Sequence, residues 1–367
     1  MRRAQREEWG LSRFLSERFR SARPYVPGEQ PQGGQRYIKL NTNESPFPPS
    51  PRVTAAITAE EVEKLRLYSD PDARPLTAAI ARRYGVDGRQ VFVGNGSDEV
   101  LAFAFLAFGS GGKAFRFPAL SYGFYPVFAR LFGVEFEAVP LREDFTIDPA
   151  DYIGCGKNVV IANPNAPTGL ALGRRTIGEI ARSNPDSVVL VDEAYVDFGG
   201  ESAVPLLGEH DNLLIVQTFS KSRSLAGMRV GFALGSPGLI GDLQQMKFSF
   251  NPYNLDRLAI LAGTAAMEDE AYFCACTEKV CATRRRVTGA LRALGFTVLE
   301  SKANFVFARP AGISGEALFT ALRARGVLTR RWDEPLIRDY LRISIGSDEE
   351  MDAFLQKTAE ILREAGA

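Results

Sequence analysis

From about residue 75 the chain repeats one pattern: a short apolar run rich in β-branched and aromatic residues, then a stretch with helical spacing. Runs such as Val188-Val189-Leu190-Val191 and Leu213-Leu214-Ile215-Val216 are apolar at every position, not at every second one. Successive side chains of a strand point to opposite faces of its sheet, so strands like these need helices on both sides. The feature predicts an α/β fold in which helices cover a mostly parallel, seven-stranded-type sheet. Strands are expected at 91–93, 114–117, 134–140, 158–162, 188–192, 213–219 and 230–234, with helical stretches such as 99–108 and 177–183 between them.

The flanks read differently. Residues 1–50 hold a charged segment able to form a short helix, then Pro24, Pro27, Pro31 and paired glycines, and end in the proline-rich run from Asn41. So many prolines forbid a continuing helix or a central strand, which leaves an extended arm packed across other parts. The 367 residues also exceed what one hydrophobic core usually organises, roughly 250–300 residues. Residues 51–255 are therefore assigned to a large domain and 256–367 to a smaller α+β domain. The latter should contain a long helical stretch through 281–294, strands at 296–299, 304–308 and 341–345, and a final helix from residue 349.

Several functions are excluded early. The 44 basic and 44 acidic residues cancel, which removes the positive field that nucleic-acid binding needs. The single histidine, His210, cannot build a multi-histidine metal site, and its polar neighbours Glu209, Asp211 and Asn212 suggest a solvated turn residue. No metal is expected. The four cysteines, Cys155, Cys274, Cys276 and Cys281, lack paired C-x2-C spacing and suit a reducing compartment. The amino terminus has no apolar signal region, and the most apolar window, 100–108, is far short of the ~20 residues that cross a bilayer. A cytoplasmic protein without a membrane partner is expected.

Ligands of open α/β sheets bind where strands end at their carboxyl side, so the polar residues closing each apolar run carry the chemistry. Four such ends stand out: Gly94-Asn95-Gly96-Ser97-Asp98-Glu99, Asn163 to Gly169, Asp192-Glu193-Ala194-Tyr195, and Thr218-Phe219-Ser220-Lys221-Ser222-Arg223. Lys221 is one of only nine lysines against 35 arginines. A buried amine can lose its proton and form a Schiff base, whereas guanidinium stays protonated. Alone, Lys221 reads more simply as a cation at a strand end, but Arg229 follows eight residues later after a run of small residues. Lys221, Ser220 and Arg229 could then surround one anionic group. Thr218 and Ser220 would share a face if the strand reaches that far. Gly96-Ser97-Asp98 reads as a glycine turn into a helix whose free N–H groups suit a phosphate, although such a turn is often only a cap. Asp192, deep at a strand end, needs a cation or donors, and either a pyridinium nitrogen or an arginine would serve.

The ordered set resembles the fold-type I pyridoxal-phosphate enzymes, in particular the aminotransferase subgroup that contains histidinol-phosphate aminotransferase. The likeness runs from Arg23-Pro24-Tyr25-Val26-Pro27-Gly28 through Lys39-Leu40-Asn41-Thr42-Asn43-Glu44-Ser45-Pro46 to Tyr340-Leu341-Arg342-Ile343-Ser344. It implies pyridoxal 5′-phosphate as cofactor, with Lys221 as the Schiff-base lysine, Asp192 at the pyridine nitrogen, Tyr195 on the phenolic oxygen and Tyr122 stacked on the ring. Gly96, Ser97, Asp98, Thr218, Ser220 and Arg229 would hold the phosphate. Many relatives place two asparagines before Pro-Thr-Gly and use the second, but here that position is Ala166, which leaves Asn165 to supply the contact. The resemblance further implies that Arg342, Arg330 and Asn43 bind substrate, and that Tyr68 reaches the site of a neighbouring subunit in a homodimer. The implied activity is transamination between a small amino donor and a 2-oxo acid, with L-histidinol phosphate and 2-oxoglutarate favoured. Aromatic amino acid aminotransferases and threonine-phosphate decarboxylases share most of these motifs and are the alternatives.

Overall fold

The computed structural model describes residues 10–20, 24–31 and 36–366. The charged start of the arm and Arg23 lie outside the described residues. A two-residue strand, β1 (Ile38–Lys39), belongs to the arm. The central sheet is built from β2 (Val91–Asn95), β3 (Phe115–Pro118), β4 (Phe136–Val139), β5 (Asn158–Ala162), β6 (Val189–Asp192), β7 (Leu213–Thr218) and β8 (Val230–Gly235). Their spatial order is β2-β8-β7-β6-β5-β3-β4. Neighbours run parallel, except that β8 is antiparallel to both β2 and β7. The reversal has a local cause: the eleven residues between β7 and β8 hold only the 3-10 segment Ala226–Met228 and no crossover helix. A parallel return needs a crossover of about a dozen residues or more, usually helical.

The fully apolar runs bury both sheet faces, as their composition requires. Val159, Ile161, Val189 and Val191 enter one core cluster, while their neighbours Val160 and Leu190, with Leu214 and Val216, enter another on the opposite side. Alternating side chains thus feed two cores from one set of strands. β7 stops at Thr218, so Ser220 lies beyond the strand; its hydroxyl nevertheless accepts a hydrogen bond from Thr218 Oγ1 at 3.1 Å.

The carboxyl-terminal third contributes β9 (Thr297–Val298), β10 (Phe305–Arg309), β11 (Val327–Leu328) and β12 (Leu341–Ser344). An antiparallel sheet of order β12-β10-β9 packs with the long helices Glu270–Ala293 and Asp348–Glu364. Ser347 starts the last helix with a capping box to Glu350. The arm joins this unit. β1 pairs in parallel with β11, Ile38 against Val327 and Lys39 against Leu328, and Leu40 sits in the same core cluster as Val287, Ile343 and Phe354.

His210 corrects an expectation. It is 8% exposed, beneath Gly178 and Leu206, not a solvated turn residue. The polar neighbours that suggested exposure lie at the mouth of a turn, while the ring itself packs inward. Among the described residues no helix is long and apolar enough to cross a membrane.

Candidate active site

A cavity of about 580 Å³ opens at the carboxyl ends of the parallel strands, and three stretches distant in sequence wall it. Strand ends and the helix start after β2 supply Ser97, Asp98, Tyr122, Asp192, Tyr195, Thr218, Ser220, Lys221 and Arg229. The arm supplies Tyr25 and residues 41–44, and the carboxyl-terminal unit supplies Arg330, Trp332 and Arg342.

One end of the cavity is a cradle made by close backbone approach. Gly96 has φ +73° and opens the helix Gly96–Gly109; a Cβ there would lie 2.4 Å from Arg229 Nη2. A Cβ on Gly231 of β8 would lie 2.3 Å from the Ser97 nitrogen. Only glycine at both positions lets the helix start, with its unpaired N–H groups, sit against β8. Arg229, itself at φ +53°, donates from Nη2 to Asp98 Oδ2 at 3.1 Å, and Tyr122 OH donates to Asp98 Oδ1 at 2.7 Å. Free N–H groups, a helix dipole and a guanidinium converge here, as an anion requires.

Deeper in, Asp192 is 5% exposed at the end of β6. Tyr125 OH donates to its Oδ2 at 2.8 Å and the Ala194 N–H to its Oδ1 at 3.2 Å. Burial outweighs both bonds and pushes its pKa up to about 6. No arginine or lysine pairs with it among the described residues, so the carboxylate lines the cavity still lacking a cation. Lys221 follows β7, and its Nζ donates to the Thr42 carbonyl at 3.2 Å and lies 5.8 Å from the Tyr195 ring centre. Burial, then the nearby Arg342 charge, brings the amine down to about 8. Such an amine is a usable nucleophile and base near neutral pH.

Tyr195 is held by Asn43, whose Nδ2 donates to the phenol oxygen at 3.0 Å. Asn43 lines the cavity, but most of its polar capacity is committed. Its backbone N–H donates to Ser344 Oγ, its Oδ1 accepts from that hydroxyl, and its carbonyl accepts from Asn304 Nδ2. The residue expected to bind substrate therefore fixes Tyr195 and fastens the arm to β12.

At the outer wall Arg330 and Arg342 form an isolated antiparallel pair, with N–H···O distances of 3.0 and 2.8 Å exchanged between their backbones. Arg342 Nη2 donates to the Asn41 carbonyl at 3.0 Å, while its buried Nε has no partner. Arg330 donates to the carbonyls of Val26 and Pro27 in the arm. Tyr25, between these and the sheet, stacks on Phe124 with ring centres 4.3 Å apart.

Two expected residues fall elsewhere. Asn165 is not among the residues that line the cavity: its Oδ1 accepts from Ser121 Oγ and its Nδ2 donates to the Leu120 carbonyl and Thr168 Oγ1. Its amide locks the loop, and Ala166 faces the cavity instead. Tyr68 is outside this chain's own cavity, 80% exposed and stacked on Tyr253 at 4.4 Å. Sequence reasoning gave no role to Tyr125, Tyr25 or Trp332. Tyr125 opens the helix Tyr125–Phe132 three residues after Tyr122, and their rings meet edge-on with centres 5.7 Å apart.

A buried lysine of lowered pKa, a buried carboxylate and an anion cradle around one cavity, on this sheet, are the arrangement of an enzyme that works on amines. Residues 35–357 match the family profile described as aminotransferase class I and II, and the chain belongs to that family. Its likeness to individual members spans the full length. It is 51% identical to a histidinol-phosphate aminotransferase of Clostridium acetobutylicum, over 96% of this chain and all of that one. It is 53% identical to histidinol-phosphate aminotransferase 2 of Dechloromonas aromatica, over 96% and 99%. Among solved structures, histidinol-phosphate aminotransferase from Sinorhizobium meliloti in complex with pyridoxal-5′-phosphate superposes with a TM-score of 0.86 at 26% identity, covering 97% of this chain and 99% of that one.

Proposed function

We propose that this aminotransferase moves the amino group of L-histidinol phosphate to 2-oxoglutarate, with pyridoxal 5′-phosphate as cofactor. The observation that carries the reading is end-to-end identity of 51 and 53% with histidinol-phosphate aminotransferases. The cavity suits the cofactor on its own evidence: a buried carboxylate without a cation, a cradle where no Cβ fits, and an amine held near pKa 8.

In this reading Lys221 would bind the cofactor covalently and Asp192 would pair with its ring nitrogen. The N–H groups of the Gly96–Asp98 turn, with Ser97, Thr218, Ser220 and Arg229, would hold its phosphate, Tyr122 would pack on the ring and Tyr195 would donate to the phenolic oxygen. Bound there, pyridoxal phosphate supplies an electron sink for the pair left when the substrate Cα–H bond breaks. Lys221 Nζ would accept the Cα proton; at a pKa of about 8 roughly a tenth of such amines are neutral at pH 7. Asp192, pinned by Tyr125 and the Ala194 N–H, would offer its negative charge to a protonated ring nitrogen. Arg330 and Arg342 take the anionic end of each substrate, because planar guanidinium forks match phosphate and carboxylate oxygens. Histidinol phosphate leaves as its 2-oxo counterpart, and 2-oxoglutarate leaves as glutamate.

The same reading makes the protein a cytoplasmic homodimer. Support for the dimer is the outward-facing Tyr68–Tyr253 stack, an aromatic surface suited to a second copy's cavity mouth. Support for the compartment is that all four cysteines are unpaired. The deciding assay supplies L-histidinol phosphate and 2-oxoglutarate and measures glutamate, with phenylalanine and phosphothreonine in parallel. Glutamate formed fastest from histidinol phosphate is expected. Turnover of phosphothreonine without consumption of 2-oxoglutarate would replace the reading with a decarboxylase.

A further inference from the structure

Arg330 and Arg342 exchange both backbone hydrogen bonds, so they are directly opposed in an antiparallel pair and their side chains leave on one face. Like charges in that position repel. Arg342 has no ion-pair partner among the described residues, and its buried Nε makes no hydrogen bond. What the two guanidiniums share is Trp332. Arg330 Cζ lies 5.4 Å and Arg342 Cζ 5.3 Å from the centre of its indole. The indole is braced from behind, in a cluster with Phe307, Ile337 and Tyr340, and it lines the cavity.

An indole face carries the negative end of a quadrupole and attracts a guanidinium without neutralising it or occupying its N–H groups. A carboxylate in the same place would hold the two arginines but compete with any incoming anion. We infer that Trp332 is a positioning residue: it keeps the Arg330 and Arg342 forks together as one anion clamp, and so sets affinity for the phosphate or carboxylate end of the substrate. The inference rests on the proposed function for the identity of the anion, but not for the existence of the clamp.

The test is calorimetric titration of the cofactor-loaded protein with inorganic phosphate, the cofactor filling the deeper cradle. Trp332→Leu should weaken phosphate binding about tenfold, and Trp332→Phe should stay within about threefold of the parent. L-histidinol, which lacks the phosphate, should bind the parent and the Leu variant equally. If the Leu variant does not fold, Trp332→Met carries the same expectation, being apolar, flexible and without a ring. Parent-like phosphate binding in the Leu or Met variant overturns the inference. So do equal losses in Leu and Phe, equal losses for phosphate and histidinol, or no phosphate binding by the parent. Phosphate binding that depends on Trp332, in a protein that does not turn over histidinol phosphate, would leave the clamp standing and remove the substrate assignment alone.

Discussion

The two walls of the cavity are built by different means. On the proposed cofactor side, Asp192, Thr218, Ser220, Lys221 and Arg229 each stand within a few residues of a strand whose position is fixed by apolar cores on both faces. On the proposed substrate side, Tyr25, Asn43, Arg330 and Arg342 come from opposite ends of the chain and meet through β1–β11 pairing and side-chain bonds to backbone carbonyls. The first wall is a by-product of folding the sheet. The second exists only once the arm has docked, so damage to it should alter binding while leaving cofactor chemistry in place.

The strongest challenge to that division is Lys221→Ala. It should reduce turnover about a thousandfold or more with every amino donor, because nucleophile and base are one atom. Steady-state assays with two donors, beside thermal unfolding to show an intact fold, measure it; substantial residual turnover would mean the chemistry is not confined to the cofactor wall. Arg342→Ala should raise KM for histidinol phosphate and 2-oxoglutarate by about 10- to 100-fold, the value of a charge-assisted contact, with cofactor affinity nearly unchanged. Loss of cofactor in that variant would show the walls to be one unit.

The next effect is on stability and depends on pH. Lys221 has its folded pKa depressed from 10.5 to about 8, so an ammonium buried in the cofactor-free protein costs stability. The unfolded chain binds more protons between those values, so the cost is full below pH 8 and fades as pH rises toward 10.5. Lys221→Met should therefore stabilise the cofactor-free protein at pH 7, by on the order of 2 kcal/mol, with a gain that shrinks above pH 8. Denaturant titrations at pH 7 and 9.5 read the difference; a pH-independent gain would contradict it.

Smallest is Tyr125→Phe, expected to weaken cofactor binding about fivefold. Losing a bond donated to the carboxylate moves the Asp192 pKa further above the value of about 6 it already has. The acid limb of cofactor affinity should shift to higher pH, as fluorescence titration would record. The substrate-side variant Arg342→Ala should leave that limb where it is.

The same division decides what could be read from the sequence. The sheet and most of its strand limits were legible, because runs apolar at every position have few places to go. The positions of Lys221 and Asp192 were legible for the same reason, each lying where such a run closes, and that of Arg229 because it stands directly before the next one. The reversed direction of β8 was not, since it depends on the length of a loop and not on the strand's own residues. For Asn165 the chemistry, unlike the orientation, is visible in one dimension; three bonds to Ser121, Leu120 and Thr168 occupy its amide. Asn43 matched a motif, yet its bonds to Tyr195, Ser344 and Asn304 join residues 150 to 300 positions away. Trp332 gave no signal, since its neighbours in space include Arg342, across a turn, and no spacing marks an indole as a support for two charges.

The pairing of β1 with β11 also sets a schedule. A polypeptide emerges from the ribosome at about 5–20 residues per second, amino end first. The sheet is complete in sequence at Gly235, but Ile38 must wait roughly 290 residues for Val327, an interval of about 15 to 60 seconds. During synthesis the floor of the catalytic chamber can therefore form well before its doorway, and the proline-rich leader stays without its strand partner until nearly the last of the chain has appeared.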